Sequence, residues 1–338
     1  MSEEASETLR GDACRLSSTP SQSHRETKVE HYVTVFDYGF APQGLALYES
    51  LERYAGSFKL WVISMDRRLS DMLSTMSLPY LEVIDLEDVE SEPLRRVKAG
   101  RTRREYCWTL TPFLFDVVFE SDGKAQRVTY IDADVWLLAS VSAIFEEFES
   151  TGMAIQITEH AFSPETDVSK GYGRFCVQFL TMNRDTSNSV RKKWQEQCLE
   201  WCFAFIDEGR FGDQKYLDLW PEHYPHLVNV ARRRSAFLGP WNATRFPYSE
   251  GLMYHFHQVR VNYGSEKQNL GNYRLPQPLL SEVYGPYLSE LKVVQERMIL
   301  NGFPPAPQFV VSTLRERIVE LIAPVTDPLY RAVRRRAD

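Results

Sequence analysis

The stretch Val128-Thr129-Tyr130-Ile131-Asp132-Ala133-Asp134-Val135-Trp136-Leu137-Leu138 decides the fold reading. An apolar, β-branched run ends in two carboxylates spaced i, i+2 and then turns apolar again. The pattern predicts a strand that carries Val128, Tyr130 and Ile131 through a core and delivers Asp132 and Asp134 at its carboxyl end. Ligands of open α/β sheets bind at that edge. Two carboxylates there repel each other unless a cation lies between them, and hard oxygen ligands suit Mg²⁺ or Mn²⁺. A cation held in this way suits a diphosphate. The other reading is a strand ending in a turn, where Asp is common in its own right.

Upstream, HYVTVF (31–36) reads as a buried strand. APQGLALYESLERYAG (41–56) reads as a helix with Pro42 near its start and Gly56 at its end. LWVIS (60–64) and YLEVIDL (80–86) read as further strands, with a short helix over 68–76 between them. Residues 104–119 form a helix whose apolar face holds Trp108, Leu110, Phe113, Phe115, Val117 and Phe119. This alternation predicts an α/β fold, a mixed but mostly parallel sheet flanked by helices on both faces.

Downstream, MAIQIT (153–158) and FCVQFLTM (175–182) read as strands. Residues 187–206 read as one helix with Val190, Trp194, Cys198, Leu199, Cys202 and Phe205 on its inner side. The polar, Pro- and Gly-containing segment 159–173 reads as a loop near the site. Residues 1–28 show no apolar periodicity and read as a disordered tail. Residues 29–275 then form one α/β domain, and 276–338 a helical extension. From Phe309 onward, Val310, Leu314, Ile318 and Leu321 make an apolar stripe among Arg315, Arg317, Arg331, Arg334, Arg335 and Arg336. Such an end either packs on the body with a solvated basic tip or lies on anionic lipid as a peripheral membrane contact.

The 338 residues carry a net charge of −7, which argues against nucleic-acid binding through bulk electrostatics. The five cysteines show no framework or zinc spacing and read as reduced thiols. No secretory signal and no apolar run of about 18 residues is visible. A cytoplasmic protein follows, or one resting on the inner face of a membrane. Oligomeric state is not legible.

Five segments in order resemble a GT-A type glycosyltransferase and are similar to the family-8 retaining enzymes. They are VTVFDYGFAPQGLALYESL, EYCWTLTPFLFDVV, YIDADVWLL, FGDQKYLDLWPE and MYHFHQV, spanning roughly 30–260. The resemblance implies Mn²⁺ or Mg²⁺ held by Asp132, Asp134 and His255, with His257 able to exchange roles with His255. It implies a nucleotide-sugar donor, UDP by default, against Val35, Phe36, Tyr38, Asp132 and Gln178. Asp213 would meet the sugar hydroxyls and Gln214 the anomeric carbon, although Asp213, unlike Gln214, also suits N-terminal capping of a helix. A cation for the phosphates would come from Arg101, Arg103 or Arg104, with Arg103 foremost. Trp241 and Asn242, with His257, would line a carbohydrate or lipid-linked acceptor; Trp241 reads equally as a core anchor.

One departure stands out. Where the family has Asn-X-Gly after its flexible loop, this chain has Cys176-Val177-Gln178, so either the sugar pocket is reshaped or turnover is impaired. The Gly after the His segment is also replaced, by Gln258. The resemblance implies sugar transfer with retention, and without a clear carboxylate nucleophile a front-face substitution is expected. The competing readings are a catalytically impaired nucleotide-sugar-binding protein and a sugar-phosphate nucleotidyltransferase. The second lacks its Gly-rich loop in FDYGFAPQGL.

Overall fold

The computed structural model describes residues 28–265 and 268–308. The expected tail, apart from Lys28, and the basic end from Phe309 lie outside the described residues. The strands are β1 (Glu30–Phe36), β2 (Phe58–Ser64), β3 (Leu81–Asp85), β4 (Arg127–Ile131), β5 (Val135–Leu137), β6 (Ile155–Glu159), β7 (Phe175–Asn183), β8 (Val228–Val230), β9 (Phe237–Leu238) and β10 (Met253–His255). A 7-stranded sheet has the order β3-β2-β1-β4-β7-β6-β8. Its neighbours pair in parallel except that β7 runs against both β4 and β6. The mixed, mostly parallel sheet is therefore present. A second sheet, β5-β10-β9, stands beside it.

The strand alternation explains the two cores. Along β1, Tyr32 and Phe36 enter one apolar cluster, while Val33 and Val35 enter the other. The first cluster receives α1 (Ala41–Tyr54) and α2 (Arg67–Met76), the second α3 (Arg103–Ser121). With both faces covered, the central strands read as continuous apolar runs. Helix starts follow local chemistry. Asp66 accepts from the Leu69 N–H to cap α2, and Thr102 with Glu105 forms a capping box for α3. Helix α4 (Ser142–Thr151) covers the first cluster and α5 (Asn188–Glu200) the second. In the C-terminal extension, α6 (Gly285–Leu300) buries Tyr287, Leu291, Val294 and Met298 in the cluster shared with α1.

The helix expected over 187–206 is shorter, ending at Glu200. Trp201 is extended, with φ −151°. Trp201, Phe203 and Phe205 then pack on one another at alternate positions, an aromatic arrangement that an i, i+2 spacing on a helix does not allow. Arg101 closes the helix end by donating to the Leu199 carbonyl at 2.8 Å. Cys202 lies beyond the helix but is buried like Cys198.

Phe36, the last residue of β1, fixes the approach of α1. A Cβ on Gly44 would lie 2.3 Å from the Phe36 ring. Gly44→Ala is expected to cost about 1–3 kcal/mol by overpacking, read as a lower urea midpoint at an unchanged slope.

Candidate active site

Three registers bring the site together. Strand β4 pairs antiparallel with β7 up to Ile131–Phe179, and just beyond it the Asp132 N–H donates to the Gln178 carbonyl at 3.2 Å. Strand β10 pairs antiparallel with β5 so that His255 lies opposite Val135. The Phe256 N–H donates to the Asp134 carbonyl at 2.8 Å, which holds β10 against the Asp132–Asp134 turn. His255 thereby reaches both carboxylates. Its Nε2 lies 3.0 Å from Asp134 Oδ1, and its Nδ1 lies 3.8 Å from Asp132 Oδ2 and 3.0 Å from Gln178 Oε1.

One ligand atom each from Asp132, Asp134 and His255 fall within 4.8 Å of one another. Two carboxylate oxygens and an imidazole nitrogen are a donor set that fits a first-row divalent cation, Mn²⁺ better than Mg²⁺. Without one, the protein neutralises the carboxylates with His255 itself. Both imidazole nitrogens face acceptors, and although burial opposes the charge, Asp134 and its hydrogen bond hold the imidazole pKa well above its ordinary value. Burial also opposes ionisation of Asp134, yet the imidazolium outweighs it and keeps that carboxyl at about 2. Asp132 is raised, by burial first and then by the Asp134 charge, with the imidazolium and the Tyr130 hydroxyl working against the shift. Tyr130 donates to Asp132 Oδ1 at 2.7 Å.

Asp213 arrives from the short turn of helix Gln214–Leu219. It is buried, and its side chain makes no capping hydrogen bond. Burial and then the Asp132 charge push its carboxyl up to about 7. Hydrogen bonds from the backbone N–H groups of Asp213 and Gln214 and from Thr111 partly offset the shift. Gln214 donates to the Tyr172 carbonyl at 2.7 Å, which ties the turn to segment 159–173, the loop expected near the site.

Trp241 is buried with three histidine rings around it: His160, His255 and His257, at centroid distances of 5.1, 5.2 and 6.0 Å. A Cβ on Gly239 would meet its ring at 2.6 Å, so the glycine permits this placement. Burial, joined by the charge on His255, lowers His160 to about 3 and His257 to about 4. His257 lies past the end of β10, and its Nδ1 is 2.9 Å from the Tyr273 hydroxyl. It is His255, and not His257, that joins the two carboxylates.

Several expected contacts are occupied otherwise. Asn242 is fully buried; its amide donates to His160 and Phe237 carbonyls and accepts from the Gly239 N–H. It braces the Trp241 turn and leaves no atom for an acceptor. The Val35 and Phe36 side chains are core, on opposite faces of β1. The Tyr38 hydroxyl donates to the Pro304 carbonyl, with Arg68 over the ring. Arg101 caps α5, and Arg103 pairs with Asp37 and Asp66 at 2.7 and 3.2 Å. Arg104 is exposed, makes no ion pair among the described residues, and lies with its guanidinium over the Trp108 ring. His160 and Tyr130 were missed in the sequence. His160 directly follows β6, so a polar residue at a strand's carboxyl end was the available signal.

No family model matches the chain. It is 29% identical over 295 residues to the uncharacterized protein YfnF of Bacillus subtilis, covering 80% of this chain and 96% of that protein. The uncharacterized YfnD of the same organism is 25% identical over 279 residues, covering 78% and 88%. Among solved structures, the galactosyltransferase LgtC, in complex with donor and acceptor sugar analogs, aligns with 80% of this chain and 99% of its own at a TM-score of 0.51 and 13% identity. That likeness establishes the fold. The chain has the GT-A glycosyltransferase architecture, with its carboxylate pair at the carboxyl edge of the sheet.

The high Asp213 pKa makes a pH prediction for the metal-free protein. In the unfolded chain this carboxyl ionises near its ordinary value of about 4, whereas folded it keeps its proton up to about 7. Its contribution is complete below about pH 4 and is lost as pH rises through about 7. Asp213→Asn removes that dependence. Urea melts with chelator present should show the variant gaining on the wild type between these pH values, by roughly 2–4 kcal/mol, then running parallel.

Proposed function

We propose that the protein is a metal-dependent glycosyltransferase that moves a sugar from a nucleotide-diphosphate donor, UDP-linked by resemblance to the family-8 enzymes, to a glycan, glycolipid or small-molecule acceptor. The observation that carries the reading is the Asp132–Asp134–His255 cluster at the carboxyl edge of a GT-A sheet. Mn²⁺ or Mg²⁺ held there would act as a Lewis acid on the departing diphosphate. The chain's residues do the rest. Arg104, exposed and without an ion pair among the described residues, would add positive charge for the phosphates. Asp213, buried and within electrostatic reach of Asp132, would orient sugar hydroxyls, with Gln214 next to it. Trp241, with neutral His160 and His257 beside it, would line the acceptor side.

Retention of configuration belongs to the same reading. With no carboxylate identified as a nucleophile, front-face substitution is the route proposed. The acceptor is proposed to be carbohydrate, free or lipid-linked, with the basic end beyond residue 308 resting on the inner leaflet of a membrane. No described helix is long and apolar enough to cross a membrane.

The test is Mn²⁺-dependent hydrolysis or transfer across a panel of nucleotide sugars, with the anomeric configuration of the product read by NMR. Turnover of at least one donor is expected. Asp134→Asn should lower it by roughly 100-fold or more. Nucleotide binding without turnover of any donor, or an inverted product, would overturn the corresponding part.

The membrane contact has its own measurement, co-sedimentation with anionic vesicles. Gln308 is bonded to Gly39, Gln43 and Val261, so the truncation must end after it to leave the body intact. That truncated chain should lose vesicle binding and keep donor hydrolysis.

A further inference from the structure

Gln178 stands where the resembling family has glycine, and the structure gives that change a purpose. The residue is completely buried. Its backbone carbonyl accepts the Asp132 N–H at 3.2 Å, and its side-chain carbonyl Oε1 lies 3.0 Å from His255 Nδ1. One residue thus holds two members of the cluster, one through its main chain and one through its side chain. The orientation of the amide follows from donor and acceptor matching. With Nδ1 carrying a proton, only Oε1 can accept from it. The other ring nitrogen, Nε2, then points at Asp134 Oδ1 at 3.0 Å.

The cost of this arrangement is visible. Gln178 Nε2 is buried without a hydrogen-bond partner. An unsatisfied buried donor costs about 1–3 kcal/mol, which a methionine of similar volume would avoid. A side chain serving only to fill space would not be an amide.

We infer that Gln178 is a positioning residue for the metal site: its carbonyl pins the His255 proton on Nδ1 and so presents Nε2 as the coordinating atom, while its backbone fixes the turn that carries Asp132. Ligating histidines commonly owe their tautomer and ring orientation to such an acceptor on the far nitrogen. The exposed consequence is that Cys176-Val177-Gln178 marks a rebuilt metal support and not a decayed sugar site. The unpartnered Nε2 is left to meet an oxygen of whatever ligand the cation brings. The inference rests on the metal reading under Proposed function, and its test separates the two.

Mn²⁺ alone is titrated by calorimetry into the full chain and into Gln178→Met, Gln178→Glu and Asp134→Asn. The Met variant keeps the volume and loses the acceptor, and its affinity is expected to fall about 10–100-fold. The Glu variant keeps an acceptor on Nδ1 and is expected to bind Mn²⁺ at least as well as the wild type. A merely structural role would weaken both alike. Met binding that matches the wild type would overturn the inference, as would a loss of about tenfold or more in the Glu variant, which decides the matter alone if the Met variant fails to fold. Failure of the wild type itself to bind Mn²⁺, with no difference from Asp134→Asn, would instead remove the metal reading.

Discussion

Two carboxylates at the end of one strand are a repulsion that the rest of the structure is arranged to resolve. Asp132 and Asp134 are forced close by an i, i+2 spacing at the edge of a buried sheet, where water cannot screen them well. The counter-charge comes from His255, more than a hundred residues later in the chain. It arrives by backbone pairing. Strand β10 adds to β5, the three-residue strand that follows Asp134, so the turn and its neutralising group are built as one piece. A slip of one residue in that short ladder would turn His255 to the opposite face. The Phe256–Asp134 bond guards the register.

Charge then spreads outward from this cluster in a graded way. Burial first, and then the imidazolium of His255, lowers its neighbours, so His160 and His257 stay neutral around Trp241. Of the three histidine rings around the indole, only His255 then carries charge, so the positive charge stays beside the carboxylates that balance it. At the start of α3, Arg103 is bound to the two caps at Asp37 and Asp66.

Much of this was legible in the sequence because it is encoded locally. The apolar run before Asp132, the Pro42 helix start and the capping box at Thr102 each depend on residues a few positions apart. The central sheet and its helices follow from them. What was not legible is long-range. The reversed β7 sits between two parallel-type strands, yet its own residues, FCVQFLTM, look no different from those of a parallel strand. The second sheet is made of strands of two or three residues, too short to show a period. Aromatic residues after Glu200 continued the apolar pattern of α5 while leaving the helix, because packing among Trp201, Phe203 and Phe205 outweighed propensity. At the site, residue types were readable but partners were not. Asn242 beside Trp241 looks like an open amide until its bonds to His160, Phe237 and Gly239 are seen.

The same constraint explains why Asp213 holds its proton. It is buried near Asp132, and a third negative charge would meet two others with a single imidazolium between them. Exchange of that imidazolium proton for a dication changes the local charge by +1 without moving any side chain far. By the same Coulomb argument, the change favours ionised Asp213 and strengthens it as an acceptor for hydroxyl groups. On the proposed reading, metal occupancy and the ionisation of Asp213 would then be one electrostatic event.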